Sequence, residues 1–482
     1  MLSLYKKLAI RIARSRLTSR HISASSKHPL QEWEQAKVAQ AAKGDRELRR
    51  IIGRKSVTEI DRGDLEQYQL HRFRAQMRYV DENSTFYRKR FADLKLRPEH
   101  IQEMADLSKL PPTDPEELAA DPMGFLCVSQ TKVMRAFTTS GTSGQRKRLF
   151  YTRNDVLNIV DSIAAALKNA GLREGETLQI MFPAVTAWDP SLMLEGACQV
   201  AGLSAVVCST PDPLEQLRSM REHKVKMIIG LTSFIYRITM LAKEKEDLRT
   251  YGIKAIILSS EPLPEAMRRE IEAAWGCKGL SQYGMTEMGL ATTIECTAQD
   301  GLHINEVDYM AEVVDPVTGE RLPDRKEGEL LWTSLNMEGT PLLRYRSNDI
   351  SAYVWPPCGC GYEVVGKIAK PRGRLDAVTK LAYGEKVYPM LFDEAVLSVP
   401  GVLGYQVTIT RVGYKDILDV EAECIDPSAA TGEDIMKAMA ALDEVRSGLE
   451  NDLVEVRVRL IPTKEGFVPK TKRIIDQRGL FS

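Results

Sequence analysis

The chain has 482 residues, of which 43% are hydrophobic and 27% charged, the composition of an ordinary globular protein. Lys plus Arg and Asp plus Glu both number 66, so a net charge of zero provides no overall field that favours nucleic acid or an anionic membrane. No apolar run approaches the roughly 20 residues that a membrane helix needs. The 8 cysteines are scattered, which excludes a disulfide framework and suits a reducing compartment.

Residues 1–30 differ in composition from the rest of the chain. They contain no Asp or Glu but include Lys6, Lys7, Arg11 and further basic residues. An Arg-rich, acid-free start is typical of a mitochondrial transit peptide, and a disordered basic tail or a start placed too far upstream is the alternative. We expect a flexible tail over 1–30 and a cytoplasmic protein, with the mitochondrial matrix as the alternative location.

Helical periodicity extends over residues 29–50 and 64–90, and another helix is predicted to begin near Asp114. Short strands are predicted at 133–137 and 149–151. Helices and strands then alternate, which indicates parallel α/β layers whose ligands bind beyond the carboxyl ends of the strands. The predicted helices are 155–171, 191–202, 213–223 and 233–243, and the predicted strands are 177–181, 205–208, 225–230 and 254–258.

From about Val378 the pattern changes to a compact α+β unit of roughly 105 residues, a usual domain size. Helices are predicted at 391–397 and 432–449, and strands at 405–410, 418–424 and 454–460. The predicted domains are therefore a large N-terminal one over 31–373 and a small C-terminal one over 374–482. Gly373 suits a hinge at this boundary, because hinges absorb changes in backbone angles.

A loop rich in glycine and hydroxyl groups, T-T-S-G-T-S-G-Q-R-K at 138–147, separates the strands at 133–137 and 149–151. Glycines let the backbone approach a polyanion, and consecutive N–H groups form an anion-binding nest. The hydroxyls and the basic end supply hydrogen bonds and positive charge. The loop is not a Walker motif, because no Gly-Lys-Ser/Thr closes it. It predicts phosphate binding, with an ordinary surface turn as the alternative.

Three further motifs follow in order: S-Q-Y-G-M-T-E at 281–287, L-R-Y-R-S-N-D at 343–349 and R-G-R-L-D at 372–376. Together with the phosphate loop they resemble the core motifs of the adenylate-forming superfamily, which includes acyl-CoA synthetases, luciferases and adenylation domains. The closest resemblance is to the phenylacetate–CoA ligase branch, and it covers residues 65 to about 480. It implies an α/β fold, with a large N-terminal AMP-binding domain of layered sheets and helices and a small mobile α+β C-terminal domain.

The resemblance also implies which residues bind ATP. The β- and γ-phosphates are expected on the loop residues Thr139, Ser140, Gly141, Thr142, Ser143, Gly144 and Lys147. The segment that lines adenine corresponds to Ser259, Ser260, Glu261 and Pro262, and the loop around the base and the α-phosphate to Tyr283, Gly284, Met285 and Thr286. Tyr283 would pack its ring on adenine, Thr286 would lie near the α-phosphate, and Asp349 would accept both ribose hydroxyls. Glu287 would bind Mg²⁺, which needs few protein ligands when it bridges phosphates.

The catalytic groups implied by the resemblance are Thr286, Arg374 and a lysine near the C-terminus. Arg374 would lie near phosphate and ribose, and Asp376 would be the pivot of the small domain. Lys470 corresponds to the catalytic lysine in the run P-K-T-K-R-I-I-D, with Lys472 as its rival. Its ammonium would bridge the substrate carboxylate and the α-phosphate as a point charge.

The chain departs from the family's usual pattern at several positions. The phosphate loop ends in Gly-Gln-Arg where Gly-Lys-Pro is more common, and the ribose motif has Ser347 and Asn348 where Thr and Gly are usual. Ala377 stands where the branch often carries a second Asp after the pivot, and Pro469 replaces the glycine before the lysine. These departures bear more on the lysine and the second half-reaction than on the ATP site.

A separate cluster of Cys296, His303, Cys358 and Cys360 provides three thiols and one imidazole. Such a set suits a tetrahedral structural Zn²⁺, and some phenylacetate–CoA ligase relatives carry a zinc site of this pattern. The alternative is free buried thiols, which are common. We expect a structural zinc clip between the segments that follow Glu287 and Asp349.

The sequence thus predicts an AMP-forming acid–thiol ligase that uses ATP, Mg²⁺ and CoA. It would convert a carboxylic acid to acyl-AMP and then to a thioester with CoA. Alternatives are transfer to a non-CoA acceptor, or a nucleotide-binding protein that has lost turnover. The segments at 182–188 and 230–234 follow strands and are apolar, which favours an aryl or similar apolar acid. The expected partners are the acid and CoA, with no nucleic acid, and a homodimer is common in this branch.

Overall fold

The computed structural model describes residues 17–23, 26–53, 55–139, 146–182, 190–355, 358–468 and 472–480. The chain divides into two compact units. The first unit consists of residues 1–178, 187–205 and 280–371, and the second of residues 179–186, 206–279 and 372–482. Among the described residues, no helix is both long and apolar enough to cross a membrane.

Several helices of the first unit begin where short polar side chains accept hydrogen bonds from the first free backbone N–H groups. Asp61 and Asp64 form a reciprocal cap at the start of the helix Arg62–Asn83, Ser84 caps the helix Thr85–Leu94, and Thr152 and Asp155 cap the helix Arg153–Asn169. The helices are α1 (Pro29–Gly44), α2 (Arg46–Ile52), α3 (Arg62–Asn83), α4 (Thr85–Leu94), α5 (Pro115–Ala120), α6 (Arg153–Asn169) and α7 (Ser191–Ala201).

Two antiparallel sheets of the first unit bear on the site. Strands β1 (Val133–Thr138) and β2 (Arg148–Thr152) form a hairpin whose last pair is Thr138 with Arg148. A larger sheet has the order β10-β11-β12-β13-β9-β8. Its strands are β8 (Thr293–Glu295), β9 (Leu302–Ile304), β10 (Tyr309–Val314), β11 (Glu327–Ser334), β12 (Tyr345–Val354) and β13 (Lys367–Ile368).

The described part of the predicted N-terminal tail is packed on the first unit. Thr18 and Ser19 are buried and donate their backbone N–H groups to the carboxylate of Asp161, at 3.2 and 2.9 Å. Trp33 Nε1 and Lys37 Nζ reach the same carboxylate, both at 3.1 Å. The flexible tail expected over 1–30 is therefore wrong for residues 17–22, because a fully buried carboxylate on α6 binds this segment.

The second unit contains β5 (Val225–Leu231) and β6 (Ala255–Ser259), which pair in parallel within a five-stranded sheet of order β4-β3-β5-β6-β7. The remaining strands of that sheet are β3 (Thr177–Met181), β4 (Ser204–Val207) and β7 (Lys278–Gln282). The helices of this segment are α8 (Pro213–Glu222), α9 (Thr232–Lys243) and α10 (Glu265–Trp275). The predicted alternation is confirmed, with boundaries that differ by one or two residues.

The C-terminal part of the second unit is an α+β arrangement, as predicted. Its four-stranded sheet has the order β19-β18-β17-β20, in which the central pair is antiparallel and both outer pairs are parallel. The predicted helix over 432–449 is instead two helices. The elements are β14 (Gly373–Arg374), β15 (Thr379–Lys380), β16 (Lys386–Val387), α11 (Pro389–Val396), β17 (Val402–Val412), β18 (Lys415–Cys424), α12 (Ala429–Ala440), α13 (Asp443–Glu450), β19 (Val454–Pro462) and β20 (Ile474–Asp476).

Candidate active site

The β1–β2 hairpin fixes both ends of the predicted phosphate loop. The backbone N–H of Thr139 donates to the carbonyl of Lys147 at 3.0 Å, and the backbone N–H of Lys147 donates to Thr139 Oγ1 at 3.1 Å. Ser140, Gly141, Thr142, Ser143 and Gly144 lie outside the described residues. The structure therefore defines the base of this loop and places Lys147 at its end.

Lys147 forms a nearly buried ion pair with Glu287, the predicted magnesium ligand. The Nζ–Oε1 distance is 2.8 Å, and the side chains are only 11% and 7% exposed. The hydroxyl of Tyr345, on β12, donates to the same carboxylate oxygen at 3.2 Å and accepts from Lys147 at 3.1 Å. The triangle brings together the phosphate loop, the loop after β7 and the ribose motif.

The loop that follows β7 is held by its own backbone. The carbonyl of Tyr283 accepts the N–H of Thr293 at 3.1 Å, and the N–H of Leu290 donates to the carbonyl of Met285 at 3.0 Å. Gly284 is required here, because a Cβ atom at this position would collide with the carbonyl oxygen of Leu290.

Thr286 is held in that loop from the β1–β2 hairpin. The Tyr151 hydroxyl donates to the carbonyl of Thr286 and accepts the N–H of Gly289 at 3.3 Å. Burial raises the pKa of Tyr151 well above its usual range, with a smaller contribution from the charge of Glu287, so this phenol remains a donor. Tyr151 thus fixes the backbone turn that precedes Glu287.

The Tyr283 hydroxyl donates to Asp349 Oδ2 at 2.6 Å, so the predicted adenine-binding and ribose-binding residues are in direct contact. Burial raises the pKa of Tyr283 well above its usual range, and the charge of Asp349 adds to the shift. The ring of Trp332, on β11, packs against that of Tyr283 with centroids 6.2 Å apart and an angle of 26° between planes. The phenol therefore stays protonated and remains a donor to the carboxylate.

The two departures in the ribose motif have structural explanations. Asn348 has a φ of 61°, a left-handed conformation that glycine adopts most easily and that asparagine tolerates better than most residues. The Ser347 hydroxyl donates to the carbonyl of Leu330 at 2.7 Å and accepts the N–H of Asp349 at 3.0 Å. The pairing of β11 with β12 shifts register at Leu330, where three residues of β12 lie opposite this single residue of β11. The resulting bulge sets the position of Asp349.

The predicted adenine segment lies in the second unit, immediately after β6. Ser260 has a φ of 68°, which is uncommon outside glycine and accompanies functional sites. Glu261 Oε2 accepts the N–H of Ser233 at 2.8 Å, and the carbonyl of Glu261 accepts the Thr232 hydroxyl at 3.3 Å. These bonds hold the segment to the start of α9. Pro262 follows as an exposed residue.

The predicted hinge also lies in the second unit. The guanidinium of Arg374 binds both oxygens of Asp376, at 2.9 and 3.0 Å, and both side chains are more than a third exposed. Lys470 lies outside the described residues, whereas Lys472 is exposed and accepts a hydrogen bond at its carbonyl from Gln406 at 2.9 Å. The choice between the two lysines stays a prediction.

Cys296, His303, Cys358 and Cys360 come together in the first unit, with their ligand atoms all within 4.8 Å of one another. Cys296 Sγ lies 3.6 Å from Cys358 Sγ, and Cys360 Sγ lies 3.4 Å from His303 Nε2. The thiols are free, because a disulfide needs about 2.05 Å between sulfurs. His303 occupies β9, and Cys296 follows β8.

The cluster favours the thiolate form of Cys296. The pKa of Cys296 is lowered, first by its hydrogen bond with Cys360 and then by its interaction with His303, which outweigh burial. Burial opposes protonation of His303, yet its pKa is raised because of hydrogen bonds with Cys296 and Cys358. The pKa of Cys360 is raised, chiefly because it donates to Cys296.

Comparison with known proteins gives the family. The model for "AMP-binding enzyme" matches residues 67–338, and that for "AMP-binding enzyme C-terminal domain" matches residues 384–478. The chain belongs to the AMP-binding enzymes. This assignment confirms the adenylate-forming superfamily predicted from the four motifs.

The curated relatives of this AMP-binding enzyme include phenylacetate–coenzyme A ligases. The one from Pseudomonas putida is 29% identical over 74% of this chain and 82% of its own length. The one from Thermus thermophilus is 28% identical over 87% and 98%, and the one from Escherichia coli is 27% identical over 86% and 96%. The expected branch and the class of AMP-forming acid–thiol ligases are confirmed at the level of the family.

Solved structures confirm the predicted fold class. A crystal structure of 2-hydroxyisobutyryl-CoA ligase in complex with R3-HIB-AMP covers 86% of this chain and 90% of its own, with a TM-score of 0.75 and 22% identity. A second structure of that ligase, in complex with 2-HIB-AMP and CoA, has a TM-score of 0.61. These similarities concern the fold alone.

Sequence reasoning missed the groups that hold the site of this AMP-binding enzyme together. Tyr345 lies inside one of the four motifs but its position there predicts no contact, and Tyr151 is predicted only to end a short strand. Both are fully buried tyrosines whose hydroxyls meet polar partners distant in sequence. A buried tyrosine next to a polar motif is a usable signal, because its hydroxyl requires a partner.

Proposed function

We propose that this AMP-binding enzyme activates a carboxylic acid to acyl-AMP and then transfers the acyl group to the thiol of CoA. The observation that carries the proposal is the Lys147–Glu287–Tyr345 triangle at the base of the phosphate loop, adjacent in sequence to the Tyr283–Asp349 pair. It combines a cation for phosphate, a carboxylate for a metal and a carboxylate for ribose. The names of the curated relatives support CoA as the acceptor.

The reaction requires a carboxylate oxygen to attack the α-phosphorus of ATP while pyrophosphate leaves. Positioning and neutralisation of charge supply most of the rate in such transfers. Lys147 would neutralise phosphate oxygens, the Thr286 region would orient the α-phosphate, and Asp349 would hold the ribose. Arg374 and Lys470 are proposed to complete the charge stabilisation, with the lysine bridging the acid and the phosphate.

Glu287 fits a magnesium ligand, since Mg²⁺ prefers carboxylate oxygens and keeps few protein ligands when phosphates are bound. Its carboxylate is now neutralised by Lys147, at 2.8 Å. When bound, Mg²⁺ would neutralise negative charge on the phosphates. Lys147 can then exchange a carboxylate for a phosphate partner without leaving a buried charge unpaired.

The proposed substrate class is an aryl or similarly apolar acid. Gly230 and Leu231 end a buried strand, and Phe234 at the start of α9 is fully buried. Apolar and aromatic lining with few polar groups is usual for pockets that take such acids. The other predicted segment, 182–188, is described only at Phe182.

The four-residue cluster is proposed to hold a structural Zn²⁺. In a tetrahedral site with Zn–S bonds of about 2.3 Å and Zn–N bonds of about 2.05 Å, two sulfurs are separated by about 3.8 Å and a sulfur and a nitrogen by about 3.6 Å. The observed separations of 3.6 Å between Cys296 and Cys358 sulfurs and 3.4 Å between Cys360 and His303 agree with this geometry. The buried Nδ1 of His303 has no hydrogen-bond partner among the described residues, and the ring is held by the cluster and by packing against Tyr362, with ring centroids 4.6 Å apart.

The ligase is tested by measuring pyrophosphate release with ATP and Mg²⁺ against a panel of aryl and alkyl acids, with and without CoA. We expect release that requires an acid, and a thioester only when CoA is present. Acid-dependent release without a thioester would indicate another acceptor, and ATP binding without release would indicate lost turnover. Lys470→Ala should abolish release, and Lys472→Ala should not; the reverse result would identify Lys472 as the catalytic lysine.

The metal is tested by measuring zinc content after purification, with Cys360→Ser as the variant and Cys198→Ser as the matched control. Cys198 is a buried free thiol outside the cluster. We expect about one zinc per chain in the wild type and the control, and a large loss in Cys360→Ser. A wild type without zinc after growth and purification in zinc-containing medium would contradict the proposal.

A further inference from the structure

The Tyr283 hydroxyl forms a hydrogen bond that the proposed stacking of its ring on adenine does not require. A phenylalanine would present the same ring, yet the hydroxyl donates to Asp349 Oδ2 at 2.6 Å. Because Asp349 is the proposed ribose acceptor, the extra atom of Tyr283 connects the base-binding and sugar-binding residues.

Both partners of this bond are rigidly placed. The carbonyl of Tyr283 accepts the hydroxyls of Thr292 and Thr293, each at 3.0 Å, and the Trp332 ring packs on its side chain. On the other side, the Ser347 hydroxyl fixes the backbone N–H of Asp349 at the bulge of β12. The phenol is therefore a fixed donor and the carboxylate a fixed acceptor, so the bond restricts rotation of the Asp349 side chain.

A restricted carboxylate binds a diol better than a mobile one. Each carboxylate oxygen has two lone-pair positions, so Oδ2 can accept the phenol hydroxyl and a ligand hydroxyl at the same time. A carboxylate that already has its bound orientation loses less side-chain freedom when the ribose arrives. The gain applies only to a ligand that offers both hydroxyls.

We propose that the Tyr283 hydroxyl is a positioning group that sets how strongly this enzyme prefers a ribose nucleotide over a deoxyribose nucleotide. The inference rests on the proposed function, in which Asp349 accepts the ribose hydroxyls of ATP. The adenine contact depends on the Tyr283 ring, and the selectivity for the sugar depends on the Tyr283 hydroxyl. Removing the hydroxyl oxygen therefore separates the two contributions.

The test compares kcat/KM for ATP and 2′-deoxy-ATP, in acid-dependent pyrophosphate release, between the wild type and Tyr283→Phe. A hydrogen bond to a charged group is worth enough to change selectivity about tenfold. We expect the ratio of the two values to fall about tenfold, with the loss confined to ATP and little change for 2′-deoxy-ATP. Asp349→Asn should lower the ratio as well, and adding Tyr283→Phe to it should have little further effect.

Tyr68→Phe is the matched control, because Tyr68 is also buried in the first unit and its hydroxyl donates to the carbonyl of Val307 at 3.0 Å. It should leave the ratio unchanged. An equal fall for both nucleotides in Tyr283→Phe would indicate a purely structural hydroxyl and would overturn the inference. An unchanged ratio would overturn it too.

Failure of the proposed ligase function can be distinguished from failure of the inference on Tyr283. If the wild type releases no pyrophosphate with any acid, the ligase proposal fails, and the same comparison is made with the dissociation constants of AMP and 2′-deoxy-AMP. A selective wild type and an unselective Tyr283→Phe would still support the positioning role. A wild type that turns over but treats ATP and 2′-deoxy-ATP alike would overturn only the inference on Tyr283 and Asp349.

Discussion

Two buried ion pairs of the first unit contain the same kinds of charge but are built differently. Arg344 and Glu312 are 1% and 3% exposed, with Nε and Oε2 3.1 Å apart. The other two nitrogens of this guanidinium donate to the carbonyls of Leu110 and Gly319, at 2.5 and 3.1 Å. Lys147 and Glu287 are 11% and 7% exposed, and the partner they share is the Tyr345 hydroxyl.

The difference separates a structural ion pair from an exchangeable one. A planar guanidinium bound to two backbone carbonyls cannot move without leaving donors and acceptors buried and unpaired. A lysine is a point charge on a flexible stem, and Lys147 lies at the end of a glycine-containing loop. Its partner can therefore be replaced by another anion, which is what phosphate binding requires.

The largest expected effect comes from breaking the structural pair. Arg344→Met should lower the free energy of unfolding by about 3–5 kcal/mol, because Glu312 is left buried without a counter-charge. Denaturant unfolding followed by circular dichroism measures this loss. Adding Glu312→Gln should recover part of it. A change below about 1 kcal/mol in Arg344→Met would mean that the pair is not the structural element we describe.

The exchangeable pair should affect turnover more than folding. Lys147→Met should lower kcat/KM for acid-dependent pyrophosphate release about 10²–10³-fold, the usual cost of losing a group that stabilises developing charge. Its unfolding free energy should change less than that of Arg344→Met, because Glu287 keeps the Tyr345 hydroxyl as a hydrogen-bond donor after the lysine is lost. The measurements are steady-state kinetics and denaturant unfolding on the same preparations. If Lys147→Met unfolds easily but retains its kcat/KM, the Lys147–Glu287 pair is structural and not exchangeable.

A third buried ion pair, in the second unit, should make stability depend on pH, because the pKa of its carboxylate lies above the usual range. Asp393 lies 3.3 Å from Arg473 Nε and accepts the Tyr405 hydroxyl at 3.0 Å. Burial raises the pKa of Asp393 to about 6, more than Arg473 and Tyr405 lower it. The folded state therefore binds this proton more tightly than the unfolded state, so ionisation of Asp393 lowers stability as pH rises from about 4 to 6.

Asp393→Asn should remove that pH dependence. Relative to the variant, the wild type should lose about 2 kcal/mol of unfolding free energy between pH 4 and pH 7, which is most of what a shift from the ordinary pKa of an aspartate to about 6 supplies. Unfolding in urea at pH 4, 5, 6 and 7 measures the difference. A constant difference across this range would show that Asp393 titrates at its ordinary pKa in the folded protein.

The smallest expected effect tests the hydroxyl that joins the exchangeable pair. Tyr345→Phe should lower kcat/KM about three- to tenfold, because one hydrogen bond that orients Glu287 and Lys147 is lost while the ring remains. The loss should be much smaller than that of Lys147→Met. Tyr87→Phe is a control, since the buried Tyr87 hydroxyl lies 3.1 Å from Thr113 Oγ1 and accepts the N–H of Leu343. An effect as large as that of Lys147→Met would make Tyr345 a principal catalytic group.

The sequence predicted those parts of the site that depend on neighbours along the chain. The hairpin that carries the phosphate loop and the strand before Tyr283 follow from local patterns. The grouping of Cys296 with Cys358, 62 positions later, was predicted from the chemistry of these residues as metal ligands. The sequence could not explain the departure at Asn348, because the positive φ there is a property of the bulge opposite Leu330. It also gave the wrong expectation for residues 17–22, because the buried Asp161 that binds them lies more than 140 positions away.

By itself, the sequence determined the alternation of helices and strands, the order of the motifs and the chemical types of the groups that would meet. Periodicity and short motifs record local geometry, so these predictions were within reach. Only the tertiary structure decided that Lys147 is paired with Glu287, that Tyr283 and Tyr345 hold the two carboxylates, and that Arg344 is structural. Burial and partners are properties of the folded chain, and they distinguish two ion pairs that look alike in sequence.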